Sequence, residues 1–324
     1  MSASRKGCFM MLLLVTVAAQ SGWSSAAGGA NIPLLVPQKV APDVYLIQGN
    51  AGIATHENRG FNSNAGFVIT RDGVVVIDAL GTPVLGEAMV AAIRKITDKP
   101  IRKVIITHYH ADHFYGLQAF QRAGAEVWAH QAAREYLDGG EGAARLLQRR
   151  ADLAPWVDNA TRLVQADVWL EGNRSFTLGG TQFDVIHLGP AHSPEDVIVV
   201  VGNSGVIFTG DILFTGRIPF VGEADSKRWL QTFSRLLDFK PKLMVSGHGE
   251  PSRNPAADLA LTRDYLIYLR QTMGKAVDEF VSFEEVYART DWSRFAKIPA
   301  FEAANRINAY GTYLLMEKES LSKK

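Results

Sequence analysis

Three imidazoles and a carboxylate fall within six residues, at His108, His110, Asp112 and His113, directly after the apolar run Val104-Ile-Ile106. That run reads as a buried strand, so the fold must place a strand end where ligating side chains can gather. Alternate side chains of a strand share a face, which points His108 and His110 the same way. A turn then brings Asp112 and His113 beside them. Borderline cations such as zinc take imidazole nitrogen and carboxylate oxygen at about 2.0–2.2 Å. Three further strand-like runs end in the same manner. Phe183–Leu188 leads into Gly189-Pro-Ala-His192, Val206–Phe208 into Thr209-Gly-Asp211, and Leu243–Ser246 into Gly247-His248-Gly249. Glycine turns the backbone tightly and leaves room around an ion. One histidine after a strand is usually a satisfied structural residue, but four ligand-bearing strand ends in one chain jointly point to a metal centre.

The rest of the chain supplies the frame. Val44–Ile47, Gly66–Ile69 and Val74–Ile77 read as strands, with a tight turn at Arg71-Asp-Gly73. Leu85–Ile96 has helical spacing, Phe114–Ala123 reads as a short helix, and Glu126–Ala129 as a strand. Residues 130–163 read as mostly helical. Five β-type runs follow at Val168–Leu170, Ser175–Leu178, Phe183–Leu188, Val197–Val201 and Val206–Phe208, then a helix over Ser226–Leu237, the strand Leu243–Ser246, and helices from Ala256 onward. Two halves of this kind predict two sheets packed face to face with helices outside. Of the remaining histidines, His56 lies in a Gly/Asn-rich loop, His130 reads as a helix start, and His187 as a strand residue of the core.

Asp78, the His108-x-His110-x-Asp112-His113 run, His192, Asp211 and His248 resemble the metallo-β-lactamase superfamily over about residues 40–255. The resemblance implies an α/β fold, the four-layer αββα sandwich, with the site at one edge between the sheets. It implies one metal held by His108, His110 and His192, a second by Asp112, His113 and His248, Asp211 bridging both, and Asp78 organising the histidine loop. Two Zn2+ are the implied cofactors, with iron or manganese as substitutes. Two cations about 3.5–4 Å apart can clamp one water and lower its pKa. A metal-bridging hydroxide then attacks a carbonyl, with Asp112 and Asp211 as the catalytic carboxylates. The centre keeps net positive charge, which favours a small anionic substrate. His56, Arg59 and Phe61, in a loop that overhangs the site in the family, are candidate substrate contacts. So is Arg217, in the loop after Asp211, as a fork for a substrate carboxylate.

Within the superfamily the residues favour ester or thioester hydrolysis. Asp211 stands where the commonest lactamases have cysteine, and Phe214 where they have lysine. A basic glutathione-binding signature of glyoxalase II is not evident after His248. The full ligand set argues against a mono-iron persulfide dioxygenase, and against a non-catalytic metal-binding protein. The run Glu57–Asn64 and Ser246–Pro251 resemble the SoxH-like metallohydrolases, which implies association with a periplasmic oxidation system.

Arg5-Lys6, the apolar stretch Phe9–Ala19 and small residues through Ala30 have the form of a secretory signal peptide over residues 1–30. The expected mature chain comprises a catalytic domain over 31–255 and C-terminal helices over 256–324. It carries no membrane span and is periplasmic. The single cysteine, Cys8, would leave with the signal, which removes disulfides, thiolate ligands and a cysteine nucleophile together. Removing Arg5 and Lys6 from 34 basic residues leaves 32 against 33 acidic ones. With no basic stripe, nucleic acid is not expected as a partner.

Overall fold

The computed structural model describes residues 33–322 apart from Glu223, so the expected signal segment lies outside the described residues. Seven strands form one sheet in sequential order: β1 (Gln38–Ala41), β2 (Val44–Ile47), β3 (Ala65–Ile69), β4 (Val74–Ile77), β5 (Ile101–Ile105), β6 (Glu126–His130) and β7 (Val168–Leu170). The first four pair antiparallel, and β4 to β7 run parallel. The second sheet has the order β12 (Leu243–His248), β11 (Val206–Phe214), β10 (Val197–Val201), β9 (Thr181–His187), β8 (Arg174–Leu178), antiparallel except for β11 with β12.

Period-two alternation explains why the strands are buried on both faces. Val68, Val75, Ile77 and Ile105 of the first sheet join Phe183, Val185, Val199 and Val245 of the second in one core between the sheets. Phe67, Val74, Val76 and Val104 face the other way. They pack with α1 (Pro83–Ile96), α2 (Ala111–Phe114) and α3 (Leu117–Arg122). On the outer face of the second sheet, Ile198, Ile207 and Met244 pack with α6 (Ser226–Asp238), α7 (Pro255–Asp278), α8 (Phe283–Arg289) and α9 (Phe301–Leu321). Three apolar layers between four structural layers make an αββα sandwich. α4 (Ala133–Asp138) and α5 (Glu141–Asp152) follow β6.

Local chemistry sets the element ends. Thr82 caps α1 by accepting from Leu85 N at 3.3 Å, Pro83 occupies its first turn, and Arg94 and Lys95 lie in its last. The C-terminal helices also hold the segment after β11. Asn308 of α9 accepts from Val221 N at 2.8 Å and donates to Pro219 O at 2.7 Å, while Thr262 of α7 donates to Phe214 O at 3.0 Å.

Several expectations need correction. β5 ends at Ile105, so strand alternation does not aim His108 and His110; the irregular segment 106–110 does. The helix expected over Phe114–Ala123 is two short helices broken at 115–116, and residues 153–167 are not helical. β1, Gln-Lys-Val-Ala, is largely exposed and lacks the apolar run that marks the other strands. Asp211 lies inside β11, which runs on to Phe214 through register shifts on either side of Gly210. Such irregularities re-aim side chains without ending the strand. His130 ends β6 and His187 ends β9. Their rings stack at 3.8 Å, joining the two sheets.

Candidate metal centre

The loop after β5, the loop after β9, the irregular part of β11 and the end of β12 meet at one edge of the sandwich. There the ligating atoms of His108, His110, His192 and Asp211 lie within 4.8 Å of one another. Those of Asp112, His113 and His248 form a second group under the same limit. Asp211 joins them. Its Oδ2 is 3.8 Å from His108 Nε2, 3.4 Å from His192 Nε2 and 3.3 Å from His248 Nε2, and its Oδ1 is 3.2 Å from His113 Nε2. His248 Nε2 is also 3.4 Å from Asp112 Oδ2. A side chain on Gly247 would collide with the Asp211 carboxylate, so only glycine lets β12 lie this close to it.

The far side of each ring decides which nitrogen faces the centre. His248 Nδ1 is 2.6 Å from Asn62 O, an acceptor only, so Nδ1 carries the proton and Nε2 presents its lone pair. His192 Nδ1 is likewise fixed by Phe220 O at 2.9 Å, and His113 Nδ1 by Asp78 Oδ2 at 2.9 Å. Thr107 Oγ1 donates to Asp78 Oδ2 at 2.9 Å and so accepts from His108 Nδ1 at 3.1 Å. Asp78 Oδ1 takes the Thr107 N–H at 2.8 Å. Asp78 holds this position with φ of 59°, a strained conformation for a side-chain-bearing residue. His110 Nδ1 is 2.7 Å from His192 Nε2. His192 Nε2 is a lone pair, so the shared proton belongs to His110.

Burial and the surrounding charges separate the titrations. Burial, reinforced by His113, holds His108 well below the ordinary imidazole range, and burial together with His110 brings His192 down to about 3. For His113 burial is outweighed by the Asp211 and Asp78 carboxylates, which raise it well above that range. Burial of Asp211 is outweighed by His248, His113 and His108, and that of Asp112 by His113 and His248; both carboxyls are held well below their usual range. In the metal-free protein both carboxylates are therefore ionised, and His113 is the imidazolium that answers them.

A metal fits this set of atoms. His108 Nε2, His113 Nε2 and Asp211 Oδ1 are buried without a hydrogen-bond partner among the described residues. His113 Nε2 and Asp211 Oδ1 face each other at 3.2 Å while His108 Nε2 has no such counter-group, and one shell of cation coordination would satisfy all three.

The segment 49–64 runs past the second group. Asn62 Nδ2 donates to Asp112 Oδ2 at 3.0 Å, Ser63 Oγ to Asp112 O at 2.5 Å, and Asn64 Nδ2 to Ser246 O and Gly249 O, both at 2.8 Å. No residue pattern marks these three for a role at the centre, because these partners lie 49 residues or more away. Of the candidate substrate contacts, His56 is exposed, 5.9 Å from the Trp156 ring, and Arg59 lies over that ring at 4.9 Å. Trp156 Nε1 donates to His56 O at 2.8 Å, and Phe61 packs against the first helical core. Arg217 is a correction. It is fully buried, donates to Gly52 O at 2.7 Å, and lies between Phe214 and Phe220, 5.7 Å from each ring. Its Nη1 is 3.1 Å from His248 Nδ1. Two donors meet there, so this is a packing contact behind the centre and not a fork facing substrate.

The family model described as the metallo-β-lactamase superfamily matches residues 58–248. The chain belongs to the metallo-β-lactamase superfamily of enzymes, with a potential metal site. A linear primary-alkylsulfatase of Pseudomonas sp. is 23% identical over 61% of this chain and 44% of its own length. A type 2 metallo-β-lactamase of Elizabethkingia meningoseptica is 25% identical over 69% of this chain and 82% of its own. The stereoselective inverting sec-alkylsulfatase Pisa1 of Pseudomonas sp. superposes with a TM-score of 0.69 at 17% identity, over 87% of this chain and 50% of that one. The chain thus spans about half the length of the alkylsulfatases it matches.

Proposed function

We propose that this chain is a two-ion metallohydrolase that cleaves an ester, thioester or related carbonyl bond of a small anionic substrate. The observation that carries the reading is the orphaned, inward-facing His108 Nε2 and His113 Nε2, whose Nδ1 atoms are engaged, together with the orphaned Asp211 Oδ1. His108, His110 and His192 would hold one ion, Asp112, His113 and His248 the other, and Asp211 both. Zinc, iron or manganese suits this nitrogen and oxygen donor set. Ions bound there supply a water of lowered pKa and positive charge for the developing oxyanion. Asp112 is partly open to solvent, and Asn62 fixes its carboxylate, so it orients the attacking water by accepting a hydrogen bond. His248 and His192 are kept as lone-pair donors by their carbonyl partners.

A matched panel of thioesters, aryl esters, an aryl sulfate and a chromogenic cephalosporin tests the reading through kcat/KM of the zinc-loaded chain. Best turnover of an ester or thioester is expected. Best turnover of the cephalosporin supports a lactamase instead. Oxygen uptake with a persulfide and iron removes hydrolysis altogether. Sulfate-ester hydrolysis is the second reading. It is the activity named for two of the proteins this chain is similar to.

Export to the periplasm is proposed on Arg5-Lys6 and Phe9–Ala19. N-terminal sequencing of periplasmic material should begin between about residues 20 and 31, and an intact Met1 in the cytosol would exclude it. Among the described residues no helix is long and apolar enough to cross a membrane. The SoxH-like resemblance supports a link to a periplasmic oxidation system. Co-purification with such a system is its test.

A further inference from the structure

Of the seven ligand side chains only His110 and Asp112 keep partial solvent access, so the mouth of the centre lies on their side. Two tyrosines sit next to them. Tyr136 of α4 meets the His110 ring nearly edge-on, with centroids 6.2 Å apart. Tyr115, fully buried, follows His113 by two residues. Both hydroxyls are buried and have no hydrogen-bond partner among the described residues. A buried hydroxyl without a partner is costly and calls for an explanation.

α5 brings cationic groups to the same place. It buries Gly142 and Leu146, and Arg145 and Arg149 share that face at helical spacing. Gly142 sits so close to Tyr136 that a Cβ there would be 3.1 Å from Tyr136 Cε1, which pins this face of α5 to the tyrosine. Arg145 acts electrostatically on both tyrosines, and Arg149 on Tyr115 and on Asp112. The one ion pair of Arg149 among the described residues, to Asp152, is long at 4.0 Å. Arg145 Nη1 also donates to Gln148 Oε1 at 3.1 Å, and the Asp112 carboxylate acts on both tyrosines, but phenols are protonated at neutral pH and the two hydroxyls remain donors without an acceptor beside two cations.

We infer that Tyr115, Tyr136, Arg145 and Arg149 form an oxyanion-binding subsite at the mouth of the centre, which takes the carboxylate or sulfate of the substrate. Its role in turnover rests on the hydrolase reading; its binding of an anion does not. The subsite selects charged over neutral esters, because two charge-assisted hydrogen bonds are available only to an anion.

The test compares 4-nitrophenyl acetate with the 4-nitrophenyl monoester of succinate and with 4-nitrophenyl sulfate on the zinc-loaded full chain. In Tyr136→Phe the ring stays against His110 and only the hydroxyl goes. Its kcat/KM for the charged esters should fall about tenfold more than for the acetate, chiefly in KM, with Arg149→Gln changing the ratio in the same direction. Which charged ester loses more identifies carboxylate or sulfate as the group bound. Arg122→Gln, an exposed arginine on α3, should leave the ratio as in the wild type. Equal losses on charged and neutral esters, or none, overturn the subsite. If the wild type turns over none of the three, hydrolysis fails separately, and calorimetry with inorganic sulfate and succinate decides the subsite. Weaker binding to Tyr136→Phe than to wild type supports it; equal binding, or none to either, overturns it.

Discussion

The two groups of potential ligands both lie against Asp211 and are held in different ways. The second, Asp112, His113 and His248, is fixed by polar bonds from side chains and backbone. Asn62 spans it, giving its amide to Asp112 and its carbonyl to His248, and Asp78 grips His113. The first, His108, His110 and His192, has lighter support. His108 is held through Thr107 and His192 through Phe220 O, while His110 Nδ1 meets only the neighbouring ligand His192. His113 is raised above the ordinary imidazole range because the Asp211 and Asp78 carboxylates outweigh its burial, whereas burial keeps His108 and His192 of the first group below it. An ion entering the second group must displace a proton. One entering the first displaces none from His108 or His192 at neutral pH, where both are already neutral.

Removing what the groups share should have the largest effect. Asp211→Ala is expected to lower occupancy of both sites and to cut kcat/KM about a thousandfold, ~4 kcal/mol of transition-state stabilisation. Retention of one fully occupied site by elemental analysis would show that Asp211 belongs to a single group.

The proton balance distinguishes the groups next. Affinity of the second site should rise up to about tenfold per pH unit while His113 is protonated, as one proton leaves per ion bound. Above the ordinary imidazole range His108 and His192 should contribute no such slope to the first. Chelator competition across pH 6–8 measures both slopes, and equal slopes would contradict the assignment of the proton to His113. The metal-free fold should weaken on acidification for a related reason. His192 resists protonation until about 3 when folded, whereas the unfolded chain takes its proton near 6.5. Stability from this group is therefore full above the unfolded value and falls as the pH drops towards 3.

Asn62→Ala should weaken the second ion selectively, by about tenfold, in line with outer-shell partners of metal ligands. Equal weakening of both ions would make Asn62 a general folding residue. The smallest effect expected is that of Trp156→Ala, which frees the 49–64 loop at Arg59 and His56. A change of about twofold in KM, with both ions retained, is expected. Loss of the second ion would show that Trp156 supports the centre through Asn62.

The strands, the two-sheet layering and the residues that converge at the centre were legible because apolar runs bounded by glycine and ligand residues report local structure directly. Asp211 was found by its Gly neighbour although it lies inside β11, since the bulge that aims it leaves no mark in residue periodicity. Asn62, Ser63 and Asn64 passed without a role. The partners through which they act at the centre lie from 49 to 186 residues away in sequence, so only the fold shows what they bond. Arg217 was misplaced because an arginine after a catalytic strand reads as exposed, and its enclosure by Phe214, Phe220 and Gly52 is a tertiary fact. Tyr115 and Tyr136 drew no notice as apolar residues of helical segments.

Two separable ion sites that share one carboxylate would differ in what a single ligand substitution removes. Elemental analysis of the zinc-loaded chain and of His248→Ala, after exhaustive dialysis at neutral pH, tests it most directly. About two equivalents in the wild type, falling to about one in the variant, is the expected result. One equivalent in both would contradict it.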